Sequence, residues 1–232
     1  MQMKNIYLIL TGLMIVLVTS CSDDDNSVNQ PSGLIYTYYP AAVGDSLIYD
    51  AELITKDAFT GAQDTQIYQL LEVVESIFTD NQNRPTLRLE RYTRLTPADP
   101  WLISDVWTSN MTSSWVERKE ENVIYVKLAF PITPSMTWNG NVLNTMDPLT
   151  YRYEDLHQPM VLGSLSFDST LTVLQRDEDY FTERYYFVEK YANHVGMIYR
   201  ENIEIIKDNT IPGQTGIKSQ RKYKETLISY TQ

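Results

Sequence analysis

The sequence predicts a mainly β protein in which a single antiparallel meander forms a strongly curved sheet, a half-barrel or a barrel. Two observations support this fold class. Apolar and polar residues alternate at period two over several stretches, as they do in strands that bury one face. The composition is also typical of strands, with 17 tyrosines and many valines, isoleucines and threonines. A β-sandwich is the alternative, because closure depends on strand register and shear rather than on composition.

The first predicted hairpin joins residues 67–78 to a strand on which Leu87 and Leu89 share one face. Between the two arms, residues 79–85 are rich in Asp, Asn and Pro, which favour turns through side-chain hydrogen bonds and a fixed φ angle. The spacing therefore predicts two strands and a tight connection.

A second hairpin pairs residues 115–119 with residues 124–130 across the polar residues 120–122. On its second arm the apolar residues at 124, 126, 128 and 130 share one face. Because side chains alternate between the two faces of a strand, Lys127 is predicted on the opposite face.

Three more segments show the strand pattern: residues 165–173, 197–207 and 218–230. The last two flank residues 212–216, which contain Pro and two Gly and predict a turn.

Long helical patterns are absent from the sequence. Residues 66–74 and 183–192 are each compatible with a short helix, so the prediction allows at most one or two short helices beside the sheet.

The N-terminus predicts export from the cytoplasm. Residues 1–20 combine Lys4, an apolar stretch over residues 6–18 and two small polar residues, as a secretory signal peptide does. As a helix the apolar stretch would reach about 20 Å, whereas a hydrocarbon core is about 30 Å thick, so a permanent transmembrane helix is the poorer interpretation. The predicted organisation is a signal peptide (1–20), a tether (21–33) and one β-rich domain (34–232).

Residues 18–21 resemble the bacterial lipobox, which ends in a cysteine that becomes lipidated. The resemblance implies acyl chains, palmitate among them, on Cys21, and a multiply acylated cysteine would hold the protein on a membrane. The alternative is a cysteine that merely lies near an ordinary cleavage site. Cys21 is the only cysteine in the sequence, so the domain has no disulfide and no catalytic thiol.

The residues after Cys21 are Ser22, Asp23, Asp24 and Asp25, and they resemble the acidic export signal of surface lipoproteins of the Bacteroidota. This resemblance implies recognition by lipoprotein export machinery and a position on the outer membrane, exposed at the cell surface. The alternative location is the periplasmic face. Adjacent carboxylates repel one another, so the run also serves as a solvated tether.

Two segments of the domain, residues 38–49 and 191–201, resemble the opening and a late motif of small, uncharacterised Bacteroidota lipoproteins. The first contains Tyr38, Pro40, Gly44 and Tyr49, and the second contains the run Tyr-Ala-Asn-His-Val-Gly-Met-Ile. The resemblance implies a compact β-rich domain and no particular chemistry.

No catalytic or cofactor motif is present. His157 and His194 lack metal-binding spacing, no nucleophile elbow or phosphate loop occurs, and we predict no catalytic residues, no metal and no cofactor. A net charge of −11 argues against nucleic acid as a partner.

These observations predict a non-catalytic envelope protein that binds a glycan, a lipid-like ligand or an envelope protein. Candidate binding residues are Trp101 and Trp138, which lie in loop-like segments and offer flat apolar faces, whereas Trp107 and Trp115 belong to predicted strands and are assigned to the core. A structural or assembly component of the outer membrane and an enzyme of unrecognised type are the alternatives.

Overall fold

Twelve antiparallel strands and no helix make up the part of the chain that the computed structural model describes, residues 37–40, 42–210 and 216–232. The strands are β1 (Ser46–Lys56), β2 (Gln63–Thr79), β3 (Pro85–Arg94), β4 (Leu102–Met111), β5 (Trp115–Glu120), β6 (Val123–Ala129), β7 (Thr137–Asn139), β8 (Thr150–Leu162), β9 (Leu165–Asp179), β10 (Glu183–Ala192), β11 (Gly196–Asp208) and β12 (Gly216–Thr231). All twelve belong to one sheet, which confirms the predicted meander rather than the sandwich. The signal segment, Cys21 and the acidic run after it lie outside the described residues.

The sheet consists of two six-stranded meanders that meet where the first strand pairs with the last. Its order is β6-β5-β4-β3-β2-β1-β12-β11-β10-β9-β8-β7. The junction is an antiparallel pairing that runs from Ser46 opposite Thr231 to Lys56 opposite Gln220. Residues far apart in sequence therefore become neighbours at the centre of the sheet.

The two outermost strands, β6 and β7, approach each other, so that the curved sheet nearly closes into a barrel. The amide of Val126 donates to the carbonyl of Gly140 (2.9 Å), and the indole N–H of Trp138 donates to the carbonyl of Val126 (2.9 Å). Tyr153 also binds the backbone of β6. Its hydroxyl accepts from the amide of Ala129 (3.0 Å) and donates to the carbonyl of Ala129 (2.7 Å). An edge strand with open backbone groups invites foreign pairing, and these contacts occupy that edge.

The hairpins predicted from alternation are formed. The second hairpin turns at Glu121 and Asn122, whose φ angles of 46° and 67° are those of a two-residue turn with the twist that hairpins favour. Both segments that were compatible with helices are strands instead: residues 66–74 lie within β2, and residues 183–192 are β10. Neither of the two allowed helices forms; β10, for example, is hydrogen-bonded on both sides, to β9 and β11, and tertiary pairing overrides local preference. Most of the predicted turn at 212–216 lies outside the described residues.

The two segments that carry the resemblance pack against each other. Tyr49 is fully buried and its hydroxyl donates to the carbonyl of Met197 (2.8 Å). Gly196 has a φ of 109°, and a Cβ built there would lie 2.6 Å from Cδ of Pro40. Gly44, with a φ of 99°, donates its amide to the carbonyl of Val74 (2.9 Å). The motif residues therefore have a structural role in joining the start of the domain to the β10–β11 turn.

Replacement of Gly196 by alanine tests this contact. We expect Gly196→Ala to lower the free energy of unfolding by about 2–4 kcal/mol, because the new methyl group would overlap Pro40 and the backbone would be strained. Gly163→Ala is the matched control, since Gly163 also has a positive φ (59°) but no atom within 4 Å of the added Cβ. Gly163→Ala should lower the free energy of unfolding by only about 1–2 kcal/mol. Urea unfolding measures the free energy of unfolding of both variants. Equal losses would contradict a close contact between residue 196 and Pro40.

Candidate functional site

Eight charged side chains lie together inside the barrel, and we call them the interior ion cluster. Seven of them are buried and Glu120 is largely so, with 15% of its side chain exposed. Four are carboxylates and four are cations, so their formal charges cancel. Its members are Glu72, Arg91, Arg118, Glu120, Lys127, Glu189, Arg200 and Glu225.

Part of the cluster consists of neighbours on adjacent strands. Arg91 lies directly opposite Glu72 in the register, with Nε 3.2 Å from Oε2. Arg200 lies between Glu225 on one neighbouring strand and Glu189 on the other, and its Nη2 is 2.8 Å from Oε1 of Glu189. Opposite charges in facing positions stabilise strand pairs, and here burial makes the correct register essential.

Further contacts extend the cluster across the barrel interior. Nζ of Lys127 is 2.5 Å from Oε1 of Glu189 and 3.2 Å from Oε1 of Glu120. Arg200 also reaches Glu120, at 3.1 Å, and Arg118 contacts Glu72. The contacts of Lys127 with Glu189 and of Arg200 with Glu120 connect β6 and β5 with β10 and β11, which belong to the other half of the sheet. Arg118 and Glu72 instead connect β5 with β2 within one half.

Lys127 corrects the prediction that placed it on the opposite face from its apolar neighbours. Val116 pairs with Leu128 and Glu117 pairs with Val126, so Lys127 is an extra residue in β6. Such a β-bulge changes the direction of the side chain at that point. Lys127 is buried together with Val126 and Leu128, and simple alternation fails here.

Three carboxylates of the cluster, Glu120, Glu189 and Glu225, have lowered pKa values and remain ionised in the folded protein. Burial by itself would raise the pKa of Glu189, but the positive charges of Lys127 and Arg200 outweigh it and lower that pKa to about 2. The pKa values of Glu120 and Glu225 are lowered in the same way: burial opposes the shift, and Arg200 favours it in both. Each of these carboxylates lies beside at least one cation, so the cluster is a stabilising network.

Two tyrosines and a tryptophan contact the interior ion cluster. The hydroxyls of Tyr191 and Tyr223 donate to Glu189 (2.6 Å) and Glu225 (2.5 Å). The guanidinium of Arg91 lies 3.9 Å from the centroid of Trp107, which is buried as predicted. Trp115, also assigned to the core, is partly buried.

A cleft of about 840 Å³ lies beyond the cluster, at the end of the barrel where β1 turns into β2. We call it the open-end cleft. Arg91, a member of the cluster, and Tyr223, which donates to Glu225, line the cleft, whereas apolar side chains form its rim. Three rim residues are strongly exposed: Ile67 (67%), Leu95 (76%) and Leu102 (66%).

The two candidate tryptophans lie in different places. Trp101 is half-buried beside Pro100, which lines the cleft, and the guanidinium of Arg94 lies 4.1 Å from its ring centroid. Trp138 is half-buried at the closure between β6 and β7, with its ring centroid 4.7 Å from that of Tyr153. The structure therefore does not bring the two indoles together, and their role in ligand binding remains a prediction.

The two histidines are both exposed. Nδ1 of His157 is 2.9 Å from the hydroxyl of Tyr38, which is also 2.7 Å from Oγ of Ser169. His194 lies in the β10–β11 turn. Within residues 37–40, 42–210 and 216–232, no group of three His, Cys, Asp or Glu side chains is placed to hold a metal ion, and none of these residues forms a helix able to cross a membrane.

Neither the interior ion cluster nor the open-end cleft was predicted from the sequence. A signal for the cluster exists, because Glu72 lies at period two from Leu70 and Val74, and Arg91 continues the face of Leu87 and Leu89. A charge that interrupts an apolar face predicts a buried pair. The cleft had no such signal, since it depends on which strands extend beyond their neighbours.

Comparisons with known proteins gave one likeness in fold. No family model and no curated protein matches the chain. A solved structure of a Bacteroides fragilis protein, described as exported and as having a YmcC-like fold, superposes with a TM-score of 0.45 at 11% sequence identity. The match covers 84% of this chain and 99% of that one. It carries no information about activity.

Acid should destabilise the domain through the cluster. In the unfolded chain a glutamate takes up its proton near the ordinary pKa of 4.5, whereas folded Glu189 does so only near 2. The unfolded state therefore binds more protons in this range, and stability present above pH 4.5 is lost as the pH falls toward 2. Urea unfolding at a series of pH values measures the loss, and a pH-independent free energy of unfolding would contradict it.

Glu189→Gln tests the same network at neutral pH. We expect it to lower the free energy of unfolding by about 3–5 kcal/mol, because Lys127 and Arg200 lose a buried counter-charge. The matched control is Glu154→Gln, which removes an ion pair with Arg152 at the surface. The side chain of Glu154 is 40% exposed and that of Arg152 is 50% exposed. The control should change stability by less than about 1 kcal/mol. Similar losses in the two variants would show that the cluster is not the source of stability.

Proposed function

We propose that this protein is a lipid-anchored, exported envelope protein, displayed on the outer membrane at the cell surface, and that its domain binds a ligand without catalysis. The open-end cleft is the observation that carries the proposal. Its volume of about 840 Å³ lies within the range of ligand sites, roughly 300–1,000 Å³. The anchor rests on the resemblance of Cys21 and its neighbours to lipoprotein signals.

The rim of the cleft supports a role in binding. Ile67, Leu95 and Leu102 expose apolar surface around one concave site, and clustered apolar surface of this kind is typical of interaction sites. Below the rim, Tyr68 and Tyr223 add aromatic surface, and Arg94 adds a cationic group. The cleft therefore combines an apolar perimeter with a few polar groups, which suits binding with a defined orientation.

The state of the buried charges favours binding over catalysis. A general acid or base needs a pKa near the working pH, whereas Glu120, Glu189 and Glu225 have lowered pKa values and lie beside cations. Their contacts within the protein already explain their presence.

A structural or assembly component of the outer membrane is the second candidate. The observation that favours it is the barrel interior, which is filled by the protein's own side chains, among them the ion cluster. This function would leave the apolar rim of the cleft unexplained. An enzyme of unrecognised type would need a reactive group in the cleft, where Tyr223 already donates to Glu225.

The anchor and its location are tested on intact cells that express the full chain. Protease treatment should remove the domain from intact cells, and mass analysis of the N-terminal peptide should find acyl chains on Cys21. Cys21→Ala is the control and should yield no acylated peptide. Protection of the domain until the outer membrane is opened would place it in the periplasm and contradict surface display.

Leu102→Trp tests the cleft, because a bulky indole at the rim would fill part of its volume. The probes are bacterial polysaccharide fragments, phosphatidylethanolamine–phosphatidylglycerol vesicles and synthetic peptides. We expect one probe class to bind the native protein. The affinity of the Leu102→Trp variant for that probe should be at least tenfold lower. Val161→Trp, a strongly exposed site near the β8–β9 turn at the opposite end, should leave affinity unchanged. Equal affinities of the two variants for every probe would contradict a binding role for the cleft.

A further inference from the structure

The second strand extends beyond the strand beside it. The β2–β3 register begins with Gln69 opposite Arg94, whereas β2 itself begins six residues earlier and pairs there only with β1. Residues 63–68 therefore have a neighbour on one side only. We call this segment the β2 free edge.

This free edge borders the open-end cleft. Residues 65–68 line one side of the cleft, and residues of the β3–β4 connection, Leu95 and Pro100 among them, line it as well. In a strand, alternate residues direct their backbone N–H and C=O groups to opposite sides, so half of those on the free edge point away from β1. The cleft thus combines backbone hydrogen-bonding groups in a row with an apolar rim.

The charges around the cleft favour a basic occupant. Asp99 and Asp105 line the cleft, and Asp64 lies on the free edge itself. Arg91, a cation of the lining, is paired with Glu72 and Glu225. The guanidinium of Arg94 is directed to Gln69, to the carbonyl of Pro97 and over Trp101. The chain as a whole carries a net charge of −11, so a second copy would be repelled at long range.

We propose that the open-end cleft binds an extended segment of another protein, in which apolar and basic residues alternate, as an added strand on the β2 free edge. This inference rests on the proposed function and names its ligand class. The backbone of the segment hydrogen-bonds to the free edge, which provides affinity independent of sequence. Its alternate side chains contact the apolar rim at Ile67, Leu95 and Leu102, while the basic ones approach Asp99 and Asp105.

The experiment uses the full chain and an eight-residue peptide of alternating Val and Lys with blocked ends. Binding is measured by calorimetry, and amide hydrogen exchange reports which residues become protected. We expect binding with slowed exchange in residues 63–68. A peptide of alternating Val and Glu should bind at least tenfold more weakly, and equal binding of the two peptides would overturn the charge preference.

N-methylated peptides separate strand addition from simple side-chain capture. One version is methylated at every Val amide and the other at every Lys amide, so each blocks one edge of the same peptide. Exactly one version should lose at least tenfold in affinity, because several hydrogen bonds are lost together. Equal binding of both versions and the parent would overturn strand addition and leave the cleft as a binding site.

Two variants complete the test. Asp105→Asn should weaken Val–Lys peptide binding severalfold and reduce its salt dependence, whereas Asp168→Asn, an exposed acid on β9, should not. Failure of the peptide to bind, while Leu102→Trp still weakens binding of polysaccharide or vesicles, would overturn the peptide ligand alone. If Leu102→Trp and Val161→Trp have equal affinities for every probe, the proposed function is overturned as well.

Discussion

The interior ion cluster is the constraint on which the rest of the fold depends. Four carboxylates and four cations are removed from water inside one barrel, and each charge is tolerated there only because an opposite charge lies beside it. A slip of one residue in β3 or β11 would turn Arg91 or Arg200 to the other face and leave buried glutamates without partners. The cluster therefore specifies register in both halves of the sheet.

The same cluster also limits where the barrel has open space. Together with Tyr49, Trp107 and Tyr191 it fills the middle of the barrel, and the open-end cleft lies at one end. There β2 extends past β3, and the uneven strand lengths open a cleft whose floor is part of the charged layer. Arg91 and Tyr223 in this floor are held by contacts with Glu225, and a preformed site of this kind lowers the entropic cost of binding.

Much of the strand structure was predictable because its determinants are local. Alternation located both arms of the hairpin between β5 and β6, and its polar turn residues Glu121 and Asn122 adopt the positive φ angles that the turn needs. The errors arose where a long-range partner decides the outcome. The segment Glu183–Ala192 is compatible with a helix in isolation, but pairing with two strands makes it β10. Lys127 broke the alternation because a bulge is a property of the strand pair and not of one strand.

The sequence by itself determined the antiparallel β class, the turns at residues 79–85 and 120–122 and the lack of a disulfide within the chain, and it alone carries the proposed lipid anchor at Cys21. Only the tertiary structure decided that β1 pairs with β12, that β6 and β7 nearly close the barrel, and that eight charges lie inside it. The physical reason is sequence distance. A turn is determined by a few adjacent residues, whereas a closed register, a buried ion pair such as Arg91 with Glu225 and a free strand edge arise when distant segments meet.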